Sequence, residues 1–247
     1  MRYFFRIEYN GARFGGWQNQ PNRISVQQLI EEALTVVLRA PCAIVGAGRT
    51  DAGVHARAQG AHFDIPAGVD ADGVDTHRLT ASLNALLPRD IAVYGMVPVA
   101  PDFHARFSAS SRRYKYYITT RKTPLSCEKA WMILFPVDWG RVGGEMECLS
   151  GPRDFTAFCS SRADSKSMMC DIRFADLSIN GDTVIFTIEA NRFIYKMVRS
   201  LVGTLVDIGR GRLSDTLDAI IESKDRKRAG ETAPACGLVL EEVFYGG

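Results

Sequence analysis

"FADLSINGDTVIFTIEA", Phe174 to Ala190, is the stretch on which the fold of the second half turns. Two strand-like runs flank Asn180-Gly181, a dipeptide suited to a type I′ turn, so the segment is expected to fold as an antiparallel hairpin. Directly after it, "RFIYKMVRSLVGTLVDIG" (Arg192–Gly209) carries apolar residues at Ile194, Met197, Val198, Leu201, Val202, Leu205 and Ile208. That spacing predicts a helix, with Gly209 as its C-cap. "RRYKYYITT" before the hairpin reads as a strand with Tyr114, Tyr116 and Ile118 on one face. "LSDTLDAIIES" reads as a further helix, and "GLVLEEVFYG" as a closing strand reached through the charged loop "KDRKRAGETAPACG".

The first half follows the same logic without repeating the sequence. Tyr3, Phe5, Ile7 and Tyr9 alternate with Phe4, Arg6 and Glu8, a strand ending at Asn10-Gly11. "SVQQLIEEALTVVLR" then reads as a helix, with Ser25 and Gln28 in a capping-box pattern and Pro41 as its stop. "CAIV" and "AQGAHFDIP" are expected as strands, "HRLTASLNALLP" as a helix and "IAVYGMVPV" as a strand. The chain is thus expected to be α+β, in two halves that divide near Phe103–Phe107: residues 1–105 and 106–247.

Composition fits this. Of 247 residues, 46% are hydrophobic and 23% charged, enough apolar content for one large core or two smaller ones. A formal net charge of +2 does not by itself announce a nucleic-acid partner, so local charge must carry that argument. The six cysteines are scattered, with no CxxC pair and no paired histidine spacing, which points away from zinc and toward reduced thiols in a cytoplasmic protein. The opening "MRYFFRIEYNG" carries Arg and Glu within its apolar run and reads as neither a signal peptide nor a membrane span.

Local charge is uneven. From His104 to Lys122 the chain carries Arg106, Arg112, Arg113, Lys115, Arg121 and Lys122 and no acidic residue, with Tyr114, Tyr116 and Tyr117 interleaved. Such a run suits an RNA surface, where arginines hold phosphates and rings stack on bases. It equally suits a solvated strand with a half-buried tyrosine face. "GAGRTDAGVHARAQ", Gly46 to Gln59, places Asp51 in a loop of small residues two positions after Arg49. The "GAG" lacks both the Lys-Ser/Thr of a P-loop and the third glycine of a dinucleotide fingerprint. From composition alone Asp51 would be a turn former.

The blocks taken together resemble a known family. "GRTDAGVHA" is similar to the active-site motif of the tRNA pseudouridine synthase A family. "YNGARFGGWQNQP…SVQQLIEEAL", "DFHARFSASSRRYKYYI", "DFTAF", "FIYKMVRSLVG" and "APACGLVLEEVFY" resemble its other blocks, in family order and over nearly the whole chain.

The resemblance implies two RRM-like (ferredoxin-like) α/β-sandwich halves whose antiparallel sheets meet at a central catalytic cleft, working as a homodimer. It implies isomerisation of uridine to pseudouridine at positions 38, 39 and 40 of the anticodon stem-loop of tRNA, with no metal and no cofactor. Asp51 would be the nucleophile, acting at C1′, through a glycal, or at C6 of the base. By the same resemblance Arg199 pairs with the aspartate, Tyr114 stacks on the flipped uracil and assists proton removal, and Leu238 closes on its other side. Arg49 would enter the space that the flipped nucleotide leaves; a plain salt bridge to Asp51 is its other reading. Arg106, Arg112, Arg113, Lys115 and Lys196 are expected to contact RNA, Lys196 standing where many members have histidine. Residues 165–174, "SKSMMCDIRF", depart from the family pattern. A non-catalytic RNA-binding protein on the same fold is the second reading; keeping Asp51, Tyr114 and Arg199 together argues against it. A magnesium-dependent aspartate hydrolase is a poor third, since Asp51 is followed by Ala52 and Gly53 rather than a second acid.

Overall fold

The computed structural model describes residues 1–70, 73–159 and 167–246, so Ser165 and Lys166 of the atypical 165–174 segment lie outside the described residues. Two compact units are distinguished: Met1–Ser110 with Leu240–Gly247, and Ser111–Val239. Among the described residues no helix is long and apolar enough to cross a membrane.

In the first unit the elements run β1 (Arg2–Tyr9), α1 (Val26–Leu38), β2 (Val45–Gly46), β3 (His55–Asp64), α2 (Thr76–Leu86) and β4 (Ile91–Val99). β1 is central and antiparallel to both β3 and β4; Tyr3 faces Phe63 on one side and Pro98 on the other. The alternation read in β1 is the cause. Tyr3, Phe5, Ile7 and Tyr9 are buried, and Phe63 stacks on Tyr3 and meets Phe5 edge-on at 5.8 Å. Each such side chain contributes about 1.5–3 kcal/mol of burial. α1 begins where its cap predicts: the Ser25 hydroxyl accepts the Gln28 amide at 3.1 Å. Only half of the capping box forms, because the Gln28 side chain donates instead to Glu32 one turn on. "CAIV" yields only the two-residue β2, which pairs with Ala61 and His62.

In the second unit the order is β5 (Ala109–Thr119), β6 (Trp131–Met132), α3 (Trp139–Glu145), β7 (Gly151–Asp154), β8 (Met169–Asn180), β9 (Thr183–Ala190), α4 (Met197–Gly209) and α5 (Leu217–Ser223). β5, β9, β8 and β7 lie side by side in that order, each antiparallel to its neighbour, while β6 runs parallel to the end of β5. The hairpin forms, with a different turn. Asn180 pairs with Thr183, so the central residues are Gly181 and Asp182, and only Gly181 is left-handed (φ 55°). That is the type II′ pattern, in which glycine alone must accept positive φ.

α4 starts at Met197, three residues after Ile194, where the apolar spacing begins, because Lys196 takes a left-handed conformation (φ 64°) and turns the chain just before the helix. Ile194 is buried all the same, outside the helix. Gly209 belongs to α4 and is no cap: a Cβ there would stand 2.7 Å from Val142 and 2.8 Å from Val137, so the glycine lets α3 approach. The left-handed residue that ends the helix is Gly211 (φ 71°), whose amide reaches the Ile208 carbonyl.

The last strand, β10 (Leu238–Tyr245), lies beside β3. From Leu240 on it belongs to the first unit. Glu242 pairs with Arg6, Glu241 with Arg57 at 3.1 Å, and the Tyr245 ring meets Phe4 edge-on at 5.0 Å. The Tyr245 hydroxyl donates to the Ala105 carbonyl at 2.9 Å.

Candidate active site

The loop carrying Asp51 is built from the main chain outward. Val54 donates its amide to the Asp51 carbonyl at 3.1 Å, and Gly53 occupies the third turn position at φ 80°, which glycine adopts without a Cβ penalty. The turn is therefore closed by the backbone of Asp51. Arg49 is exposed and Asp51 half-buried at its crest.

The stretch after β1 braces the rear of this loop. Trp17 donates its amide to the Thr50 carbonyl at 3.2 Å, and the Thr50 hydroxyl shares a 2.7 Å hydrogen bond with the buried Tyr9 hydroxyl. Gly16 sits at φ 105°, and a Cβ there would come within 2.7 Å of the Thr50 carbonyl oxygen. A Cβ on Gly11 would lie 1.9 Å from the Val54 carbonyl oxygen, and the Gly11 amide donates to His55 Nδ1 at 3.0 Å. The indole of Trp17 covers Gly46, where a Cβ would be 2.6 Å away. On the other flank the fully buried Gln59 donates to the Gly48 carbonyl at 2.8 Å, while its own carbonyl oxygen is buried without a partner. Together these contacts fix the backbone on both sides of Arg49 and Asp51. Tyr9, Gly16, Trp17, Thr50 and Gln59 carry no chemistry in the sequence; the first four stand in the family-like blocks, whereas Gln59 lies outside them and no sequence signal marks it.

In the second unit Arg199 and Tyr116 meet the segment Ala233–Leu238. Arg199, on the first turns of α4, donates from Nε to the Ala233 carbonyl at 2.9 Å and accepts the Ala233 amide at its own carbonyl. The arginine is thus held to that segment rather than lying along the protein surface. Tyr116 is completely buried, its hydroxyl donating to the Pro234 carbonyl at 2.7 Å, and burial raises its pKa. Gly237 packs on the Tyr116 ring, where a Cβ would stand 2.6 Å away, and Leu238 follows it, buried. Tyr114, two residues along β5, is only half-buried, with its ring edge-on to Phe193 at 5.1 Å.

The basic residues divide. Arg113 forms a two-armed ion pair with Glu189 across β5 and β9 (2.6 and 3.0 Å), and Ser111 donates to the same carboxylate. Arg112 donates to the Asn191 carbonyl at 2.8 Å. Lys115 is half-buried, Arg106 is exposed, and Lys196 sits with its ammonium 5.2 Å from the Tyr195 ring. Among the described residues no group of three His, Cys, Asp or Glu side chains is placed to hold a metal ion.

Residues 146–246 match the family model described as tRNA pseudouridine synthase. The chain is 47% identical over 245 residues to tRNA pseudouridine synthase A of Parabacteroides distasonis, covering 99% of this chain and 96% of that protein. It is 46% identical to the Porphyromonas gingivalis protein of the same name (99% and 97% covered) and 42% identical to that of Myxococcus xanthus (97% and 90%). With the braced aspartate loop and near-complete coverage of these relatives, the chain belongs to the tRNA pseudouridine synthase A family.

Proposed function

We propose that the protein isomerises uridine to pseudouridine at positions 38, 39 and 40 of the tRNA anticodon stem-loop, with Asp51 as nucleophile. The observation that carries this is the Asp51 loop. An ordinary turn aspartate needs no such support, whereas here glycines, Trp17, Thr50 and Gln59 hold the backbone on both flanks and leave Arg49 and Asp51 at the crest. A nucleophile held in place avoids the entropy of finding its target.

The reaction breaks the N1–C1′ bond, turns the uracil and joins C5 to C1′; the C5 proton is lost and one is gained at N1. Asp51 supplies the carboxylate. Arg199 provides the compensating positive charge that a carboxylate taken out of water requires. Tyr114 stacks on the base and assists removal of the C5 proton, and Leu238 supplies an apolar wall. Arg49 occupies the space left by the flipped nucleotide, where its planar fork can stack and bind phosphate. Arg106, Arg112, Arg113, Lys115 and Lys196 contribute positive potential for tRNA, although Arg113 offers less of it while Glu189 holds its guanidinium. In this reading the two units are the RRM-like halves of the family, and the protein is a cytoplasmic homodimer.

The test is tritium release from C5-labelled uridine in an unmodified tRNA transcript, wild type beside Asp51→Ala, with chelator present. Release by wild type alone, with tRNA binding kept by the variant, is expected. Product from Asp51→Ala would sink the assignment, and binding by both without release by either would favour the non-catalytic reading.

A further inference from the structure

The segment joining β4 to β5 forms a rigid corner. Arg2 donates to the Phe103 carbonyl at 2.7 Å, and the Phe103 ring packs on Phe4 and Tyr245 at 5.4 and 5.2 Å. Ala105 is fully buried, its amide donating to His62 Nδ1 at 3.1 Å and its carbonyl accepting Tyr245. The next residues close on themselves. His104 donates its amide to the Ser108 hydroxyl at 3.0 Å, and Ser108 returns its amide to the His104 carbonyl at 2.8 Å. His104 Nδ1 accepts the amides of Arg106 and Phe107 at 3.2 and 3.4 Å, which places the ring proton on Nε2.

On this corner stands Phe107, with 76% of its surface exposed. The His104 ring supports it at 4.4 Å with a 35° tilt, and the Arg106 guanidinium carbon lies 5.7 Å from its centre; neither covers it. A single exposed apolar side chain is ordinary on a protein surface. Phe107 differs in three respects: its backbone is pinned at both ends, a cation flanks its ring, and it opens the acid-free basic run His104–Lys122. A flat apolar face beside a guanidinium matches a nucleobase and its phosphate, since every base offers a π-face and every linkage a negative charge.

We propose that Phe107 is a base-stacking residue of the RNA interface, with Arg106 as its phosphate partner. The inference rests on the tRNA reading above and adds a contact remote from Asp51 in sequence. Rigidity matters here, because a platform already fixed in place loses little entropy when a base settles on it.

The experiment measures the Kd of an unmodified tRNA transcript and the KM and kcat of tritium release for Phe107→Ala, Phe107→Leu and Phe107→Trp. Ala and Leu are expected each to weaken binding on the order of tenfold, with the loss in KM, while Trp stays within about twofold of wild type. Arg106→Ala should reduce the slope of log Kd against log salt by roughly one contact, whereas Phe107→Ala should leave that slope alone. Leu binding as well as wild type would overturn the proposal, because apolarity without a flat ring would then suffice. So would equal losses for Ala, Leu and Trp, or a changed oligomeric state in Phe107→Ala with tRNA affinity intact. Active wild type with Phe107→Ala equal to it removes the stacking role alone. Wild type that neither binds nor turns over the transcript removes the tRNA reading, and this inference with it.

Discussion

At the scale of single residues, the aspartate loop depends on side chains that are absent. Gly16 combines a left-handed backbone with a carbonyl 2.7 Å from where a Cβ would sit. Gly16→Ala should therefore cost about 2 kcal/mol or more, from conformational strain and crowding together. For a chain of this size that corresponds to a melting temperature lower by about 4–8 °C. Turnover should fall further than the melting temperature implies, since the carbonyl that must yield is that of Thr50, next to Asp51; a variant as stable and active as wild type would refute the brace. Arg49→Ala should separate turnover from affinity. If the guanidinium contributes even 1.4 kcal/mol to flipping, its loss slows turnover about tenfold. Equal losses in turnover and in tRNA Kd would instead favour a general binding role. In the sequence Asp51 is legible only through the block it sits in. Nothing local sets this aspartate apart from a turn former, because what braces its loop is Trp17, Thr50 and Gln59, contacts made over distances of chain that periodicity does not register.

At the scale of elements, long periodic segments were legible and glycine-rich ones were not. β1, α1, β4 and the β8–β9 hairpin follow from alternation, capping and turn chemistry. α3, "WGRVGGE", gives no helical signal because three glycines in seven residues erase its propensity; it is held by Asp138, which caps the Arg141 amide at 2.9 Å, and by packing on Gly209. The start of α4 is not legible, because apolar spacing extends back to Ile194, whereas the backbone turns at Lys196. The corner after β4 carries a pH consequence. Burial, with Arg2 and His104 nearby, lowers the pKa of His62 to about 4, while Asp64 opposes the shift. The folded state therefore favours neutral His62, whose Nδ1 accepts the Ala105 amide. Between about 4 and the unfolded value near 6.5 the unfolded chain binds more protons, so stability is full above that window and declines as pH falls through it. Melting temperature should drop from pH 7 to pH 5 in wild type and drop less in His62→Gln. Parallel profiles for the two proteins would exclude His62 as the source. The Arg2–Asp64 pair, which lowers the Asp64 pKa, fails only at more acid pH and so falls outside this comparison.

At the scale of the whole molecule, a net charge of +2 cannot hold tRNA by itself, so affinity should be carried by a few local cations and be sensitive to salt. Four phosphate contacts already imply a loss of roughly 50- to 150-fold between 50 and 200 mM salt. A Kd flat over that range would mean that shape and stacking, rather than Arg106, Arg112, Lys115 and Lys196, dominate binding. The same scale marks the limit of sequence reading. "GLVLEEVFYG" announces a strand and says nothing of where it goes, and the residues from Leu240 on join the unit that begins at Met1. Two of their partners, Arg6 and Phe4, lie almost the full length of the chain away, and the third, Arg57, lies on the far side of the whole second unit in sequence. This has a consequence for biosynthesis. A ribosome delivers Asp51 and its whole brace well before β10, the strand that lies beside β3. While the second unit is being translated, the aspartate loop belongs to a sheet with an unfilled edge, and the first unit closes only once β10 has left the exit tunnel. A chain terminated ahead of Leu238 would carry Asp51 on an incomplete scaffold, so the unit that begins first is finished only after the second has been made.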